Sequence, residues 1–473
     1  MGESFDVIVL GAGPGGYVAA LRAAQRGMKV ACVEANTFPG GLGGVCNNAG
    51  CIPTKALLES AYYAANVGHL SKLGVTVGSV TLDFAQAVRH SRSVADGGVK
   101  GITYLFRKQG VTLVTGWGRL TMPRPDGLHE VTVEGAEGER VLTARNVVVA
   151  TGSRPRDLPF LRFDGERVWS SNEAVAADAA PASLAVVGAG AVGMEFADVY
   201  ASFGTRVTVV EALERVLPLE DAEASAVVEK AYRRRGIEVL TGTRLEGAET
   251  GTDGVRLRAR LPGGEERVLE AERVLVAIGR APLVEDIGLE EAGVRVEKGS
   301  IPTDERMRTN VPGIYAIGDV TRPPLLAHKA WAEAAAVVGA IAGDEKVRVN
   351  YDNIPGVTYC HPEVASVGLT EEAARAQGHT FQVGRFPWSA NGRARGMADA
   401  DGFVKVLRDG RYGEVLGAHI VGPHASELIG TFVVGRLLET TVEYLDHAIL
   451  PHPTLSDSIP EAALDALGRA VHL

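Results

Sequence analysis

The chain has 473 residues, 46% apolar and 22% charged, with a formal net charge of −10. At roughly 150 residues per domain that length predicts about three domains, and an acidic balance argues against a nucleic-acid partner, which needs a basic patch. Four cysteines, Cys32, Cys46, Cys51 and Cys360, are too few for a disulfide-stapled scaffold.

The N-terminus, Met1-Gly2-Glu3-Ser4-Phe5-Asp6, runs straight into a strand, without the basic region and apolar run of a secretory signal. No apolar stretch reaches the roughly 18 residues of a membrane span, so a cytoplasmic protein is expected. Residues 5–10 read as an apolar strand, followed by the turn Gly11-Ala12-Gly13-Pro14-Gly15-Gly16, a helix over 17–26, a stop at Gly27 and a second strand over 29–34. Cys32, inside that strand, reads as a small buried hydrophobe.

A glycine-rich loop, Asn36-Thr37-Phe38-Pro39-Gly40-Gly41-Leu42, leads to Cys46-x4-Cys51. In a reducing compartment such a close pair is redox-active or metal-binding. A metal would need two more soft ligands nearby, and the segment has none, so no metal is expected. Cys51 precedes Ile52-Pro53-Thr54-Lys55, which reads as a helix start with Pro53 in its first turn. A helix N-terminus stabilises a thiolate, and Lys55, four residues on, shares the face of Cys51.

The first layout then returns. A strand over 184–187 enters Gly188-Ala189-Gly190-Ala191-Val192-Gly193, a helix follows, Gly204 ends it and a strand over 206–211 closes the unit. One offset of 177 residues relates Gly11 to Gly188, Gly27 to Gly204 and Glu34 to Glu211. Each G-x-G-x-x-G lets backbone N–H groups approach a pyrophosphate at a helix N-terminus, and the carboxylate at the end of the second strand suits a ribose diol. Two such turns imply two dinucleotides, most simply a nicotinamide and a tightly held flavin. The charge of Glu211 would repel a 2′-phosphate, which favours NAD over NADP. Ala212 and Leu213 supply no arginine to hold a phosphate, and Arg215 is the nearest one.

From residue 357 short strands take over, including 402–406 and 415–421, then a helix over about 426–439 and the proline-rich Leu450-Pro451-His452-Pro453. No glycine turn recurs there, so this part reads as a dimer surface. Cys360-His361 lacks a resolving cysteine and reads as structural.

In order, the first glycine turn, Cys46-x4-Cys51, Val149-Ala150-Thr151-Gly152, the second glycine turn, Ala277-Ile278-Gly279-Arg280, Ala316-Ile317-Gly318-Asp319 and His452-Pro453-Thr454 make the whole chain resemble the FAD-dependent pyridine nucleotide-disulfide oxidoreductases. Within them it is most similar to the branch that oxidises dihydrolipoamide with NAD⁺. The resemblance implies an α/β fold of two Rossmann-like three-layer dinucleotide-binding domains plus a C-terminal α+β dimerisation domain. Its segments would be 1–155 for FAD, 156–280 for NAD, 281–350 as the FAD return and 351–473 as the interface. Asp319 would hold the ribitol of FAD, Leu326-Ala327-His328 would lie against the flavin, and Gly44, Gly118 and Thr151-Gly152-Ser153 would line that site. Gly279 and Leu245 would line the NAD site. Cys51 would be the flavin-side thiol, Cys46 the interchange thiol, and Lys55 would pair with Glu195 near the flavin.

A thiol–disulfide relay also needs a base near neutral pH, and histidine suits it. His452, confined by prolines on both sides, is the best placed, with Asp457 to orient its imidazole. The family usually has glutamate at 457 and an apolar residue where Asn47 stands. The resemblance further implies a homodimer with shared active sites, His452 reaching the cysteines of the other subunit, and a lipoyl domain of a 2-oxo acid dehydrogenase or related complex as partner. Two alternatives stand beside this reading: a glutathione-reductase-like or other low-molecular-weight disulfide reductase, and a mainly structural subunit of a multienzyme complex.

Overall fold

The computed structural model describes residues 3–35, 41–344 and 346–473; of the glycine-rich loop expected at 36–42, only Gly41 and Leu42 lie within them. The chain forms two compact units, one of Met1–Ala56, Val88–Arg156 and Arg280–Tyr351, the other of Leu57–Ala87, Asp157–Gly279 and Asp352–Leu473.

The first unit opens with β1 (Glu3–Leu10), α1 (Pro14–Gln25) and β2 (Val30–Glu34). The helix starts three residues before the expected 17, because Gly13 is extended and Pro14 takes the first helical position, where a missing N–H is harmless. The cysteines follow in α2 (Gly44–Asn48) and at the first residue of α3 (Cys51–Asn66), and α4 (Phe84–Gln109) comes next. Then come β3 (Thr112–Thr115), β4 (Trp117–Leu120), β5 (His129–Gly135), β6 (Gly138–Val149) and β7 (Ser153–Pro155). The sheet order is β3-β2-β1-β6-β5-β4, and strand Ile314–Ala316 pairs parallel with the end of β6. β1 lies between parallel neighbours, Val9 facing Cys32 of β2 and Val148 of β6. A strand covered on both faces reads as a continuous apolar run, as Val7-Ile8-Val9-Leu10 does. Ile8 and Leu10 enter the core with Val131, Leu142 and Ile314. Val7 and Val9 meet the small Ala19, Ala20 and Ala23 of α1 on the other face.

The second unit repeats the plan. Strands Ser183–Val187 and Arg206–Val210 flank helix Ala191–Ser202 in a five-stranded sheet that also takes Glu238–Leu240, Arg273–Val276 and Val168–Trp169, every pairing parallel. Strands Arg244–Thr250, Val255–Arg260 and Glu266–Ala271 form a separate antiparallel sheet. The C-terminal part is a five-stranded antiparallel sheet covered by helices Ala425–Leu437 and Ser458–Asp465. The mixed α/β architecture with an α+β C-terminal part is the expected one. Among the described residues no helix is long and apolar enough to cross a membrane.

One buried charge cluster braces the second unit. Lys405, 1% exposed, places its Nζ 2.9 Å from both Asp221 and Glu223 and 2.5 Å from Glu371. Burial pulls the ammonium pKa down, but the three carboxylates outweigh it and raise the pKa. Glu223 is largely solvated, whereas Asp221 is 3% exposed. Lys405→Met therefore leaves a buried carboxylate uncompensated and should cost about 3–5 kcal/mol. The midpoint of urea unfolding measures this, and a midpoint equal to the parent's would show that water already solvates Asp221.

Candidate active site

The two glycine turns have one geometry. Gly11 has φ +96°, and a Cβ there would lie 2.4 Å from the Ala150 carbonyl oxygen; for Gly188 the values are +103° and 2.6 Å from Ala277. A Cβ at Gly16 would sit 1.8 Å from the Gly11 oxygen, and one at Gly193 would sit 1.9 Å from the Gly188 oxygen. Any side chain at these positions would prise the turn open. Gly15 keeps α1 close to helix Ala327–Ile341, since its Cβ would stand 3.3 Å from that of Ala330.

Gly13 and Gly190 are different: a Cβ at either would meet nothing within 4 Å. Both are N-caps of 12-residue helices with no side-chain cap. Each turn thus offers uncapped N–H donors beside open space, which fits a dinucleotide pyrophosphate. Pro14 and Val192 stand in the first turns of these helices.

The acidic residues do more than the sequence suggested. Glu34 Oε2 accepts the Ala12 N–H at 2.7 Å, and Glu211 Oε2 accepts the Ala189 N–H at the same distance. Glu211 Oε1 also accepts the Leu213 N–H at 2.8 Å. Each carboxylate therefore pins its own turn. Arg215 is committed elsewhere, to both carboxylate oxygens of Glu372 at 2.8 and 2.6 Å.

The cysteine segment is laced to the first turn. The Gly43 N–H donates to the Ala12 oxygen at 2.8 Å, and a Cβ on Gly44 would come within 2.8 Å of the Gly13 Cα. Cys46 lies in the middle of α2 and Cys51 opens α3, with Lys55 one turn further along it. The Cys51 sulfur hydrogen-bonds Cys46 and, with burial and its own charge, drives the Cys46 thiol pKa far up; Lys55 acts against that rise. A helix N-terminus such as the one Cys51 occupies favours a thiolate.

Asn47, unexpected for its polarity, is a hook. It is 8% exposed and its Nδ2 donates to the Ala95 oxygen of α4 at 3.0 Å. Gly98 makes room for it, since a Cβ there would fall 2.0 Å from Asn47 Oδ1. Asn48 Nδ2 donates to the Leu42 and Gly44 oxygens at 3.0 Å each.

Asp319 is held by groups that sequence spacing did not single out. Ser153 Oγ donates to Asp319 Oδ2 at 2.5 Å, while Arg280 donates through Nε to Ser153 Oγ at 2.8 Å and through Nη2 to the Ser153 carbonyl at 2.7 Å. The preceding Gly318 is gripped at both ends: its N–H donates to Glu333 at 2.6 Å, and its carbonyl accepts from Lys329 at 3.0 Å. Lys329 and Glu333 are both fully buried. Their i,i+4 spacing was visible in the sequence, but their burial was not. Leu326 caps the same helix, and Ala327 and His328 open it. Thr151 Oγ1 donates to the Leu283 oxygen at 2.7 Å, and Gly152 has φ +81°. Gly118 is required by packing, because a Cβ would lie 2.9 Å from Leu10 and 3.0 Å from Val33.

In the second unit, Glu195 is 4% exposed and accepts the Tyr359 N–H at 3.0 Å. One helical turn on, Asp198 accepts His361 through its N–H at 2.8 Å and its Nδ1 at 2.7 Å. Leu245 lies half-buried on strand Arg244–Thr250, and Gly279 has φ +112°. His452 is 82% exposed, with Nδ1 2.8 Å from Asp457 Oδ2. The shorter aspartate therefore reaches the imidazole, and the Thr454 N–H, donating at 3.0 Å, steadies it. Cys360 is fully buried and donates to the Pro362 oxygen at 3.3 Å, a structural contact. Among the described residues no cluster of His, Cys, Asp and Glu could hold a metal.

Residues 5–334 match the family model described as pyridine nucleotide-disulphide oxidoreductase, and residues 354–463 match its dimerisation domain. The chain is 43% identical to dihydrolipoyl dehydrogenase of Rhizobium etli and 44% identical to that of Zymomonas mobilis, with both chains fully covered in each case. Among solved structures it is similar to LpdA from Mycobacterium tuberculosis, with a TM-score of 0.89 at 31% identity over 97% of this chain and 99% of that one. It is also similar to the HOCl-induced flavoprotein disulfide reductase RclA from Escherichia coli, with a TM-score of 0.86 at 25% identity over 98% of this chain and 99% of that one.

Proposed function

The chain belongs to the pyridine nucleotide-disulphide oxidoreductases, and we propose that it oxidises dihydrolipoamide to lipoamide and reduces NAD⁺, with FAD and NAD as cofactors. The observation that carries this reading is the docking of the Cys46/Cys51 segment onto the first glycine turn, in a chain with a second such turn. Gly11 to Gly16, Glu34, Gly44, Gly118, Thr151 to Ser153, Asp319 and Leu326 to His328 would hold FAD. Gly188 to Gly193, Glu211, Leu245 and Gly279 would hold NAD.

The chemistry begins with the pair oxidised. His452, oriented by Asp457, takes the proton of one dihydrolipoamide thiol. The substrate thiolate attacks the Cys46 sulfur, the Cys46–Cys51 bond breaks, and Cys51 leaves as thiolate. The second substrate thiol then attacks its neighbour, lipoamide closes, and Cys46 departs and recovers a proton. One disulfide has been exchanged for another, and the protein pair now holds two electrons. FAD, held by the residues named above, would supply a two-electron acceptor for the reduced pair and a donor toward NAD⁺. The chain's own residues position the two sulfurs and take the substrate proton.

The dimerisation domain supports a homodimer. Within it, His452 would serve the cysteines of the other subunit, an assignment its exposure in one chain favours. Lys55 would pair with Glu195 near the flavin. We assign 1–155 and 281–350 to the FAD domain, 156–280 to the NAD domain and 351–473 to the interface. The dithiol would be a lipoyl-lysine on a carrier domain of a cytoplasmic complex.

Steady-state rates with dihydrolipoamide and with glutathione, each paired with NAD⁺ and NADP⁺, test this reading. Faster glutathione turnover would replace it with a low-molecular-weight disulfide reductase. Glu211→Ala combined with Ala212→Arg should shift kcat/KM toward NADP⁺ by about 10- to 100-fold, through lost repulsion and a gained phosphate ligand. Overall NAD⁺ use should also weaken, because the Ala189 and Leu213 N–H groups lose their acceptor. An unchanged cofactor ratio would remove Glu211 as the selector.

A further inference from the structure

Two opposite charges lie in the core of the first unit with no part in the chemistry above. Lys329 and Glu333 stand one turn apart on helix Ala327–Ile341, both fully buried, with Nζ 3.4 Å from Oε1. Taking both charges out of water opposes folding, and their attraction offsets that only when further hydrogen bonds satisfy the remaining donors and acceptors. Here those bonds leave the helix and converge on one short segment. Lys329 Nζ donates to the Gly318 carbonyl at 3.0 Å, to Thr321 Oγ1 at 3.2 Å and to the Arg322 carbonyl at 2.8 Å, which engages all three ammonium donors. Glu333 Oε2 accepts the Gly318 N–H at 2.6 Å, and Oε1 accepts the Tyr351 hydroxyl at 2.7 Å. The Gly318 carbonyl also accepts from Thr321, through Oγ1 at 2.7 Å and the N–H at 3.1 Å.

The peptides on both sides of Gly318 are thereby fixed, and the second of them carries Asp319. Gly318 sits at φ +76°, where a glycine is conformationally free unless something holds it. The ion pair holds it from 11 and 15 residues further along the chain. On the near side the Ile317 N–H donates to the Val149 oxygen at 3.0 Å, which ties the segment to the end of β6. Asp319 then meets Ser153, whose hydroxyl donates to its Oδ2 at 2.5 Å.

We propose that Lys329 and Glu333 are positioning residues of the flavin site: together they clamp the two peptides of Gly318 and so set the place of the Asp319 carboxylate for FAD. This deepens the reading of Asp319 as a flavin ligand and rests on it. Both side chains are fully buried, so each acts through Asp319 and not on the ligand itself.

The test reads flavin affinity in a double-mutant cycle. Full-length protein saturated with FAD is diluted in steps, and released FAD, read by its fluorescence, gives the Kd. Lys329→Met is expected to raise that Kd about tenfold in the parent. In an Asp319→Ala background it should raise it by less than about twofold, because no carboxylate is left to place. An equal rise in both backgrounds would mark a purely structural pair and overturns the proposal, as does an unchanged Kd in Lys329→Met. Tyr351→Phe takes a hydroxyl from Glu333 but leaves both clamps on Gly318, so its Kd should stay within about twofold of the parent's. A rise there as large as that of Lys329→Met also overturns the proposal. If Lys329→Met does not fold, Thr321→Val replaces it in the cycle; it removes an uncharged donor from the same carbonyl and should raise the Kd about threefold only where Asp319 is present. No rise, or the same rise without Asp319, overturns the proposal in that form. Failure of the underlying reading is a separate result: Asp319→Ala alone would bind FAD as tightly as the parent, and the clamp would then have no flavin ligand to place.

Discussion

Cys46→Ser is expected to keep its flavin and lose dihydrolipoamide turnover by at least about a thousandfold, the scale on which removing a covalent nucleophile acts. Serine is close to isosteric, so α2, tied down through Asn47, Asn48 and Gly43, should retain its place on the glycine turn. What disappears is the sulfur that forms the mixed disulfide. Cys51 would remain as a thiol without a partner to close upon. NADH oxidation with ferricyanide, which needs no protein disulfide, should persist. Comparing the two assays on one preparation isolates the thiol chemistry, and normal dihydrolipoamide turnover in the variant would remove Cys46 from the interchange role.

His452→Gln should slow the dithiol half-reaction by about 10²- to 10⁴-fold, the range that general base catalysis supplies. The imidazole Nδ1 is engaged by Asp457 at 2.8 Å, so Nε2 is the nitrogen turned outward. Glutamine can still donate to Asp457, but it offers no base at neutral pH. Rapid mixing with dihydrolipoamide reads the loss directly, while reduction by NADH should be unaffected because His452 takes no part in it. Equal rates for parent and variant would exclude His452 as the base. Asp457→Asn should slow the same half-reaction on a comparable scale, since the stabilising charge is gone and an amide that donates to Nδ1 favours the wrong imidazole tautomer.

Much of this protein is local chemistry and could be read along the chain. The turns at 11–16 and 188–193 were legible because a tight strand-to-helix turn is built from consecutive residues, and only glycine permits the carbonyl contacts at Gly16 and Gly193. The helix beginning at Cys51 was legible because capping and proline placement act within one turn. The contact between His452 and Asp457 was foreseen in kind, and its geometry closes over five residues. The start of α1 was set three residues late because Gly13-Pro14-Gly15-Gly16 reads as a loop in isolation, whereas Pro14, Gly15 and Gly16 are helical and Gly15 packs against Ala330 and Ile317. The polarity of Asn47 was noticed without its purpose, since its partner Ala95 lies 48 residues away.

Spacing and the internal repeat thus determined the two glycine turns and the cysteine pair beside the first, because each of these depends on neighbours in sequence. Folding alone decided which distant polar groups meet. Lys405 finds Asp221 across 184 residues, and Arg280 finds Ser153 across 127. Glu211 turns out to brace the very loop whose ligand it was expected to meet. Such pairings carry weight only once burial has removed the water that would otherwise screen them, and burial is a property of the folded chain, not of any stretch of its sequence.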